Sequence, residues 1–453
     1  MSSPTSWAGR RLRFKWVSAA VILAASASAC SAGQQVVTVT VTADQTAAST
    51  GRSAPDPTSP IASPAATPTS KATAAEASTV AAATVENGVR VTARPASGAK
   101  NVPPNDPVSI TVFAATMSDV ALTADDGGTI TGALSPDRTT WRSSERLNYA
   151  TTYTMTGTVL AASGATTPIR RAFSTVKPTA TQRASIQIPD GATVGVGAPI
   201  ILTFAGAVRN RAAAEKALKV TTSAGAALQG NWGWLQDEQI EKGGPLQSRV
   251  HWRPTVSPAG GATPYWPANT KVHVEANLKG VDYGGGSWGR ADLTADFTIG
   301  RSQIVIADAS TFHLIVTVDD KITKNYAVSY GKDSIPGRAT VTGIHIVTEK
   351  FPTYSMCNPK FDYCNVLENW AVRINNNGEF IHENLKAAAA FGIANVSHGC
   401  VNMGRLDAKN YYDSAIYGDP VVVTNTGGPA MTEQDSLYDW IYSPQQWKAL
   451  SAL

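Results

Sequence analysis

The run Ala371-Val372-Arg373-Ile374-Asn375-Asn376-Asn377-Gly378-Glu379-Phe380-Ile381-His382 encodes a β-hairpin in the C-terminal part of the chain. Asn-Gly between two β-rich runs is a strong signal for a hairpin turn. The hairpin predicts that His382 lies at the end of a strand. Further along, the chain reads Ser397-His398-Gly399-Cys400-Val401-Asn402. We therefore expect a β-rich domain in which an imidazole at a strand end meets a thiol in a loop.

This pair of residues suits nucleophilic catalysis. A cysteine nucleophile needs a base within hydrogen-bond reach and donors for an oxyanion. His382 is the candidate base, and an ion pair with it lowers the pKa of the Cys400 thiol. Gly399 lets the backbone approach a substrate closely. We expect the oxyanion hole to use the amide of Cys400 with that of Gly399 or His398, and the carbonyl of Glu383 to orient His382. His398 is interpreted as a structural partner in the nucleophile loop.

Simpler interpretations of the same residue types stay open. A single cysteine is usually a small buried hydrophobe, and a single histidine is usually a satisfied polar residue. His313 and His345 are placed in that class, on strands. A zinc site formed by His382, His398 and Cys400 is an alternative, but the spacing is long, and no C-x-x-C or H-E-x-x-H motif is present.

The run at residues 397–402, with His382 eighteen positions before Cys400, resembles the signature of the L,D-transpeptidases. The organisation of nearly the whole chain resembles the mycobacterial branch of that family. The resemblance implies an acyl-transfer enzyme of peptidoglycan. Its cysteine attacks the carbonyl between meso-diaminopimelate and the terminal D-Ala of a tetrapeptide stem. The acyl group then passes to a neighbouring stem, which gives a 3→3 link. The resemblance also implies covalent inhibition by carbapenems and no metal or cofactor.

The resemblance assigns roles to individual positions. Cys400 matches the nucleophile and His382 the proton donor and acceptor, while His398 and Gly399 match the motif. Glu383 departs from the pattern, because relatives often have Ser there. The lid before the hairpin looks shorter than in relatives, and its register is open between Tyr363 and Cys364 for the tyrosine over the pocket. The predicted substrate-contacting residues are Asn402, Asn377, Gly378, Met356, Tyr363 and Ser397.

Cys357 and Cys364 lie close together in this lid. In an exported protein we expect them to form a disulfide. Two free thiols or a redox switch are the alternatives. The pairing leaves Cys400 as the unpaired, reactive thiol.

The N-terminal region reads as an export signal and a tether. Residues 1–29 run from basic to apolar to small side chains, which is the order of a signal peptide. Cys30 follows directly and resembles the lipidated cysteine of a bacterial lipoprotein; ordinary cleavage near Ala29 is the alternative. Residues 30–87 are rich in Ala, Ser, Thr and Pro and predict a linker. We expect a lipid-anchored protein on the outer face of the cytoplasmic membrane, facing the cell wall.

The rest of the chain predicts a mainly β fold. Residues 88–178 and 179–300 show short β-rich runs separated by turn signals, as in immunoglobulin-like β-sandwich modules. The resemblance assigns residues 301–425 to a β-rich L,D-transpeptidase catalytic domain with one short helix, and residues 426–453 to a C-terminal extension. The extension contains Trp440 and Trp447 and is expected to brace the catalytic domain against the second module. Five tryptophans of the second module are interpreted as core and interface residues rather than a carbohydrate site: Trp232, Trp234, Trp252, Trp266 and Trp288.

Composition narrows the function classes. The 453 residues carry a net charge of only +4 and no long basic run, so a nucleic-acid partner is not expected. An L,D-carboxypeptidase forms the same thioester but hydrolyses it with water, so the sequence does not distinguish a carboxypeptidase from a transpeptidase. A sortase-like enzyme needs a longer separation between His and Cys. The non-enzyme alternative is a wall-binding lipoprotein that retains the fold.

Overall fold

The computed structural model describes residues 82–86, 88–239 and 242–453, which all belong to one compact unit, Thr73–Leu453. The predicted signal peptide, the predicted lipidation site Cys30 and nearly all of the predicted tether lie outside the described residues. None of the helices in the described part of the chain is long and apolar enough to cross a membrane.

The first module consists of two antiparallel sheets with strand orders β1-β2-β3-β7-β6 and β5-β4-β8-β9. Alternating residues of β2, such as Val89 and Val91, point into the core, which is the period of a half-buried strand. The sequence predicts one strand at residues 129–132, but the structure has two strands there, and they join different sheets. The strands are β1 (Ala82–Glu86), β2 (Val89–Arg94), β3 (Ser109–Phe113), β4 (Ala115–Ala124), β5 (Thr129–Ile130), β6 (Gly132–Leu134), β7 (Thr140–Ser143), β8 (Thr152–Ala161) and β9 (Thr166–Ser174).

The second module packs the sheets β11-β13-β16-β15 and β12-β20-β17-β14 around a core rich in aromatic residues, with a small sheet β10-β19-β18 beside them. Four of its five tryptophans are buried, and Trp288 lies against Tyr149 of the first module. The core and interface interpretation of these tryptophans is therefore confirmed. The elements are β10 (Ala180–Gln182), β11 (Ala184–Ile186), β12 (Thr193–Val194), β13 (Ile200–Phe204), α1 (Arg211–Lys216), β14 (Leu218–Thr222), β15 (Gln229–Trp234), β16 (Arg249–Val256), β17 (Lys271–Ala276), β18 (Asp282–Gly284), β19 (Ser287–Gly289) and β20 (Leu293–Ile299).

The third domain stacks the sheet β23-β22-β21-β29-β24 on the sheet β25-β26-β27-β28. Apolar side chains of both sheets and of α2 fill the space between them. Most pairs are antiparallel, but β21 with β29 and β27 with β28 run parallel. The elements are β21 (Gln303–Asp308), β22 (His313–Val318), β23 (Lys321–Ala327), β24 (Gly343–Ile346), β25 (Glu349–Asn358), β26 (Tyr363–Arg373), β27 (Phe380–Glu383), β28 (Val401–Met403), α2 (Arg405–Ser414) and β29 (Pro420–Thr424). The mainly β fold class is confirmed.

Two predicted elements of this domain have different boundaries in the structure. A strand is expected at residues 326–329, but the strand in the structure, β23, lies earlier and ends at Ala327. Most residues of β23 are exposed, so no apolar pattern marks the strand in the sequence. A helix expected at residues 406–417 is α2, which ends at Ser414. Tertiary contacts end it, because Arg301 binds the Ser414 carbonyl and the Asp419 carboxylate accepts the Ile416 amide at 3.0 Å.

The C-terminal extension links the second module to the third domain. Its elements are a 3-10 helix, Tyr438–Ile441, and α3 (Pro444–Lys448). Trp440 Nε1 donates to the Gly197 carbonyl at 3.0 Å, and Trp447 Nε1 donates to the Asn231 carbonyl at 2.9 Å. On the other side, Asn375 Nδ2 donates to Asp435 Oδ1 at 2.8 Å. The predicted bracing is confirmed, and it reaches the turn that precedes His382.

Candidate active site

The nucleophile loop is held by hydrogen bonds of two hydroxyl side chains. Ser397 Oγ donates to the Cys400 carbonyl at 2.6 Å and accepts from the Gly399 amide at 3.2 Å. Thr340 Oγ1 donates to the Gly399 carbonyl at 2.7 Å. Gly399 has a φ of 125°, a backbone conformation that favours glycine. Because the Gly399 amide is engaged by Ser397, the amides of Cys400 and His398 are the better candidates for an oxyanion hole.

His382 sits on β27, beside Asn402 of the parallel strand β28. Its side chain is 4% exposed. A carbonyl oxygen only accepts, so the ring donates from Nδ1 to the Glu383 carbonyl at 2.8 Å. This is the contact expected from the sequence, and it leaves Nε2 free to exchange a proton with a thiol.

The environment of His382 favours its protonated form. Burial lowers the pKa of the imidazole, but its interactions with Cys400 and with the nearby Glu368 carboxylate outweigh burial and raise the pKa to about 10. An imidazolium next to sulfur stabilises the thiolate, which is the reactive form of a cysteine. The site therefore favours the charged form of the imidazole, which is the form that a cysteine nucleophile requires of its partner.

The predicted hairpin turn reaches the thiol. Asn377 Oδ1 accepts from the Glu379 amide at 3.0 Å, and Gly378 has a φ of 97°. The Gly378 carbonyl accepts from Cys400 Sγ at 3.5 Å. The turn therefore places backbone polar groups beside the sulfur, where a substrate would bind.

The lid is a long hairpin made of β25 and β26, joined by the 3-10 helix Pro359–Phe361. Sequence reasoning predicted only the end of β26, residues 371–373, as a strand, since most residues of β26 are partly or fully exposed. Met356 is buried and packs in one cluster with Cys400. The rings of Phe361 and Tyr363 lie 5.2 and 5.3 Å from the His398 ring. Tyr363 thus faces the nucleophile loop, and Phe361 is a lid residue that sequence reasoning missed.

Cavities open on both sides of the lid tip. One, of about 380 Å³, is lined by His382, Cys400 and Asn402. Another, of about 310 Å³, is lined by Asn377, Gly378 and other residues. Met356, Phe361, Tyr363 and His398 line both. The site can therefore hold one extended ligand on each side of the lid.

The surroundings of two polar side chains, Asn402 and His398, indicate what each can do in the site. Asn402 Oδ1 is buried and has no hydrogen-bond partner, so it is placed to accept from a bound ligand. Burial and the nearby Arg338 lower the pKa of His398, in line with a structural rather than a basic role. Within the described residues, no group of three or more His, Cys, Asp or Glu side chains is arranged to hold a metal ion.

Comparisons with known proteins identify the family. A model described as the L,D-transpeptidase catalytic domain matches residues 302–423, and one described as a bacterial Ig domain matches residues 99–282. L,D-transpeptidase 5 of Mycobacterium tuberculosis (strain ATCC 25618 / H37Rv) is 40% identical over 364 residues, which cover 80% of this chain and 77% of that protein. The chain belongs to the L,D-transpeptidase family. L,D-transpeptidase 2 of Mycobacterium tuberculosis (strain CDC 1551 / Oshkosh) is 34% identical over 371 residues, covering 80% of this chain and 85% of the relative. A solved L,D-transpeptidase in complex with imipenem is 27% identical over 53% of this chain and 97% of its own, with a TM-score of 0.41.

Sequence reasoning missed two carboxyl groups at the site of this L,D-transpeptidase, one partly buried and one buried. Glu368 lies 3.7 Å from His382 Nδ1. Glu379 lies under the nucleophile loop, next to Gly399, and accepts from the Val341 amide at 2.8 Å. Burial raises the pKa of Glu379 to about 7. No local motif marks either residue, because their importance comes from strands that are brought together by the fold.

The predicted disulfide between Cys357 and Cys364 is confirmed. We expect the double variant Cys357→Ser/Cys364→Ser to lower the free energy of unfolding by no more than about 2 kcal/mol, because the ring that the bond closes is short. Amide exchange in residues 354–366 should become faster, since the bond restrains the lid tip. Urea denaturation and hydrogen exchange by mass spectrometry measure both effects. Unchanged exchange in the lid would contradict the expected restraint, and the same variant treated with reductant provides the control.

Proposed function

We propose that this L,D-transpeptidase forms 3→3 cross-links between meso-diaminopimelate residues of neighbouring peptidoglycan stems in cell-wall biogenesis. It would act as an acyltransferase through a thioester on Cys400. The observation that supports the proposal is the arrangement of a buried His382, held at Nδ1 by the Glu383 carbonyl and interacting with Cys400 in the wall of one cavity. Membership of the family supports the class of reaction.

In the first half-reaction, the Cys400 thiolate attacks the carbonyl between meso-diaminopimelate and the terminal D-Ala of a tetrapeptide stem. The oxyanion that forms would accept hydrogen bonds from the amides of Cys400 and His398. The peptide C–N bond then breaks, and D-Ala leaves with a proton from His382. The product is a thioester between Cys400 and the shortened stem.

In the second half-reaction, the side-chain amine of diaminopimelate on an acceptor stem attacks the thioester carbonyl. His382 takes the proton that the amine loses, and the new amide forms as the C–S bond breaks. The thiolate–imidazolium pair is then restored, so no cofactor is consumed. The cavity lined by Cys400 shares Met356, Phe361, Tyr363 and His398 with the neighbouring cavity, which would leave room for a second stem beside the first.

The proposal is tested by analysing products from a purified tetrapeptide donor, with and without an acceptor stem. With the acceptor present, we expect free D-Ala and a dimer whose fragmentation places the new bond between two diaminopimelate residues. A tripeptide product in both reactions would instead indicate an L,D-carboxypeptidase. Release of no D-Ala from any stem would contradict both enzyme functions and favour a wall-binding role.

Carbapenems are proposed to acylate the same sulfur, because their strained β-lactam carbonyl offers a reactive electrophile to a thiolate. The site of action is proposed to be the outer face of the cytoplasmic membrane, with the chain anchored by lipid on Cys30 and residues 31–87 as the tether. The support is the order of basic, apolar and small residues before Cys30. The variant Cys30→Ser should move the protein from the membrane fraction to the soluble fraction; an unchanged distribution would contradict the lipid anchor.

A further inference from the structure

A carboxylate faces the proposed acid/base from the lid hairpin. Glu368 lies on β26, and its Oε2 is 3.7 Å from His382 Nδ1. The Glu368 side chain is 14% exposed and lines the same cavity as Cys400. No Lys or Arg among the described residues forms an ion pair with it. Its negative charge therefore acts on the imidazole and is not neutralised by an ion pair with a surface cation.

The contact differs from the one that orients the ring. The Nδ1–H of His382 already donates to the Glu383 carbonyl at 2.8 Å. At 3.7 Å, the Glu368 oxygen is too far for a second full hydrogen bond. Its influence is therefore electrostatic. Such an influence is stronger here than on the surface, because the imidazole is almost fully shielded from water.

Two further charged side chains lie near His382, and one of them is engaged elsewhere. The Glu383 carboxylate, next in sequence, accepts from Arg405 Nε at 3.0 Å and from Asn369 Nδ2 at 3.3 Å. Lys386, from the 3-10 helix after β27, lines the same cavity and bears a charge of the opposite sign to Glu368. The other titratable groups facing this cavity are Cys400, His398 and Tyr363.

We propose that Glu368 is a positioning residue that stabilises the His382 imidazolium and so sustains the Cys400 thiolate. The inference rests on the proposed function, because it assigns His382 the role of acid and base. A carboxylate within about 4–6 Å favours the charged form of a histidine. The site is then a Cys–His pair supported by a backbone carbonyl and a partly buried carboxylate on separate strands. A rival role for Glu368 is binding a cationic group of the substrate.

The test is the pH dependence of alkylation of Cys400 by iodoacetamide in the full chain, with the Cys400 peptide followed by mass spectrometry. Iodoacetamide is neutral and small, so a substrate-binding role of Glu368 does not affect the readout. The rate profile has a lower step, where the thiol ionises beside the imidazolium, and an upper step, where His382 loses its proton. In Glu368→Gln, we expect the midpoint of the upper step to move down by about one pH unit, because the variant lacks the anion that holds the proton on the ring. The lower step should not move up, because removing an anion does not make a thiol harder to ionise, and the two plateaus at high pH should coincide.

Glu349→Gln is the matched control. It removes the same charge from the same hairpin, but Glu349 is paired with Arg373 at 2.6 Å and is 54% exposed. Its alkylation profile should overlay that of the wild type. A Glu368→Gln profile that also overlays the wild type would overturn the inference, and so would a lower plateau with an unchanged upper midpoint, which indicates a merely structural effect.

The outcomes separate this inference from the proposed function. If the wild type cross-links stems and the upper midpoint of Glu368→Gln does not move, only the role of Glu368 fails. If the wild-type Cys400 titrates near the ordinary cysteine value of about 8.5 and no stem reacts, the proposed function fails as well.

Discussion

Cys400→Ala is expected to abolish both cross-linking of stems and covalent modification by a carbapenem. The variant removes the sulfur that forms the thioester, and no other described residue offers a free thiol. Loss of a nucleophile leaves only the weak catalysis that binding and oxyanion contacts supply, so turnover should fall by at least about three orders of magnitude. Intact-mass spectrometry after exposure to a carbapenem and product analysis with paired stems measure the two effects.

The control for this prediction is Cys357→Ser/Cys364→Ser, which removes sulfur from the lid and leaves Cys400 in place. That variant should still gain the mass of one carbapenem. A carbapenem adduct on Cys400→Ala would show that acylation occurs elsewhere. If Cys400→Ala cross-links stems as fast as the wild type, the thioester mechanism itself is contradicted.

Arg253→Ala is expected to cause a large loss of stability. The Arg253 side chain is 1% exposed, and its guanidinium lies 4.6 Å from the ring centres of both Trp440 and Trp447. It also donates to the Tyr442 carbonyl at 2.7 Å. Burial lowers the pKa of Arg253 to about 10, while the nearby Asp439 opposes this. The arginine thus joins the second module to the C-terminal extension through cation–π, hydrogen-bond and charge interactions at once.

Removing this side chain leaves a cavity between Trp440 and Trp447. It also removes the positive charge that offsets the negative charge of the buried Asp439. We expect a loss of about 3–5 kcal/mol in the free energy of unfolding, because breaking a buried charge arrangement costs that much. For a unit of this kind the thermal midpoint should fall by on the order of 10 °C. Scanning calorimetry measures the shift.

Lys409→Ala is the matched control, since it breaks the exposed pair of Lys409 with Asp413 on α2. Such surface pairs contribute about 0.5 kcal/mol or less. If Arg253→Ala and Lys409→Ala have similar thermal midpoints, the bracing role of the extension is contradicted. A selective loss of the second module and extension, with the first module unchanged, would support it.

Much of the candidate site could be predicted from local sequence. The Asn377-Gly378 turn encodes its own hairpin, because few residue pairs adopt that turn so readily. The motif at residues 397–402 marks the nucleophile, and the Glu383 carbonyl follows His382 directly along the chain. The disulfide could also be predicted from the sequence, since Cys357 and Cys364 lie close together along the chain. These features depend on neighbours along the chain.

Other features depend on contacts between distant segments, which no local pattern records. Glu368 becomes a partner of His382 because β26 and β27 pair side by side. The carbonyl of Ser414, the last residue of α2, accepts from Arg301, which lies 113 positions earlier in the chain.

Turn chemistry, apolar alternation and motif spacing are local properties of the chain, so they were sufficient to predict the fold class, the family signature and the candidate reacting pair. Contacts made in the folded structure set which charges surround His382, which side chains cover the nucleophile loop and how Arg253 joins the extension to the second module. Electrostatic and packing energies depend on distance in space, and residues far apart in sequence reach those distances only when the sheets have formed.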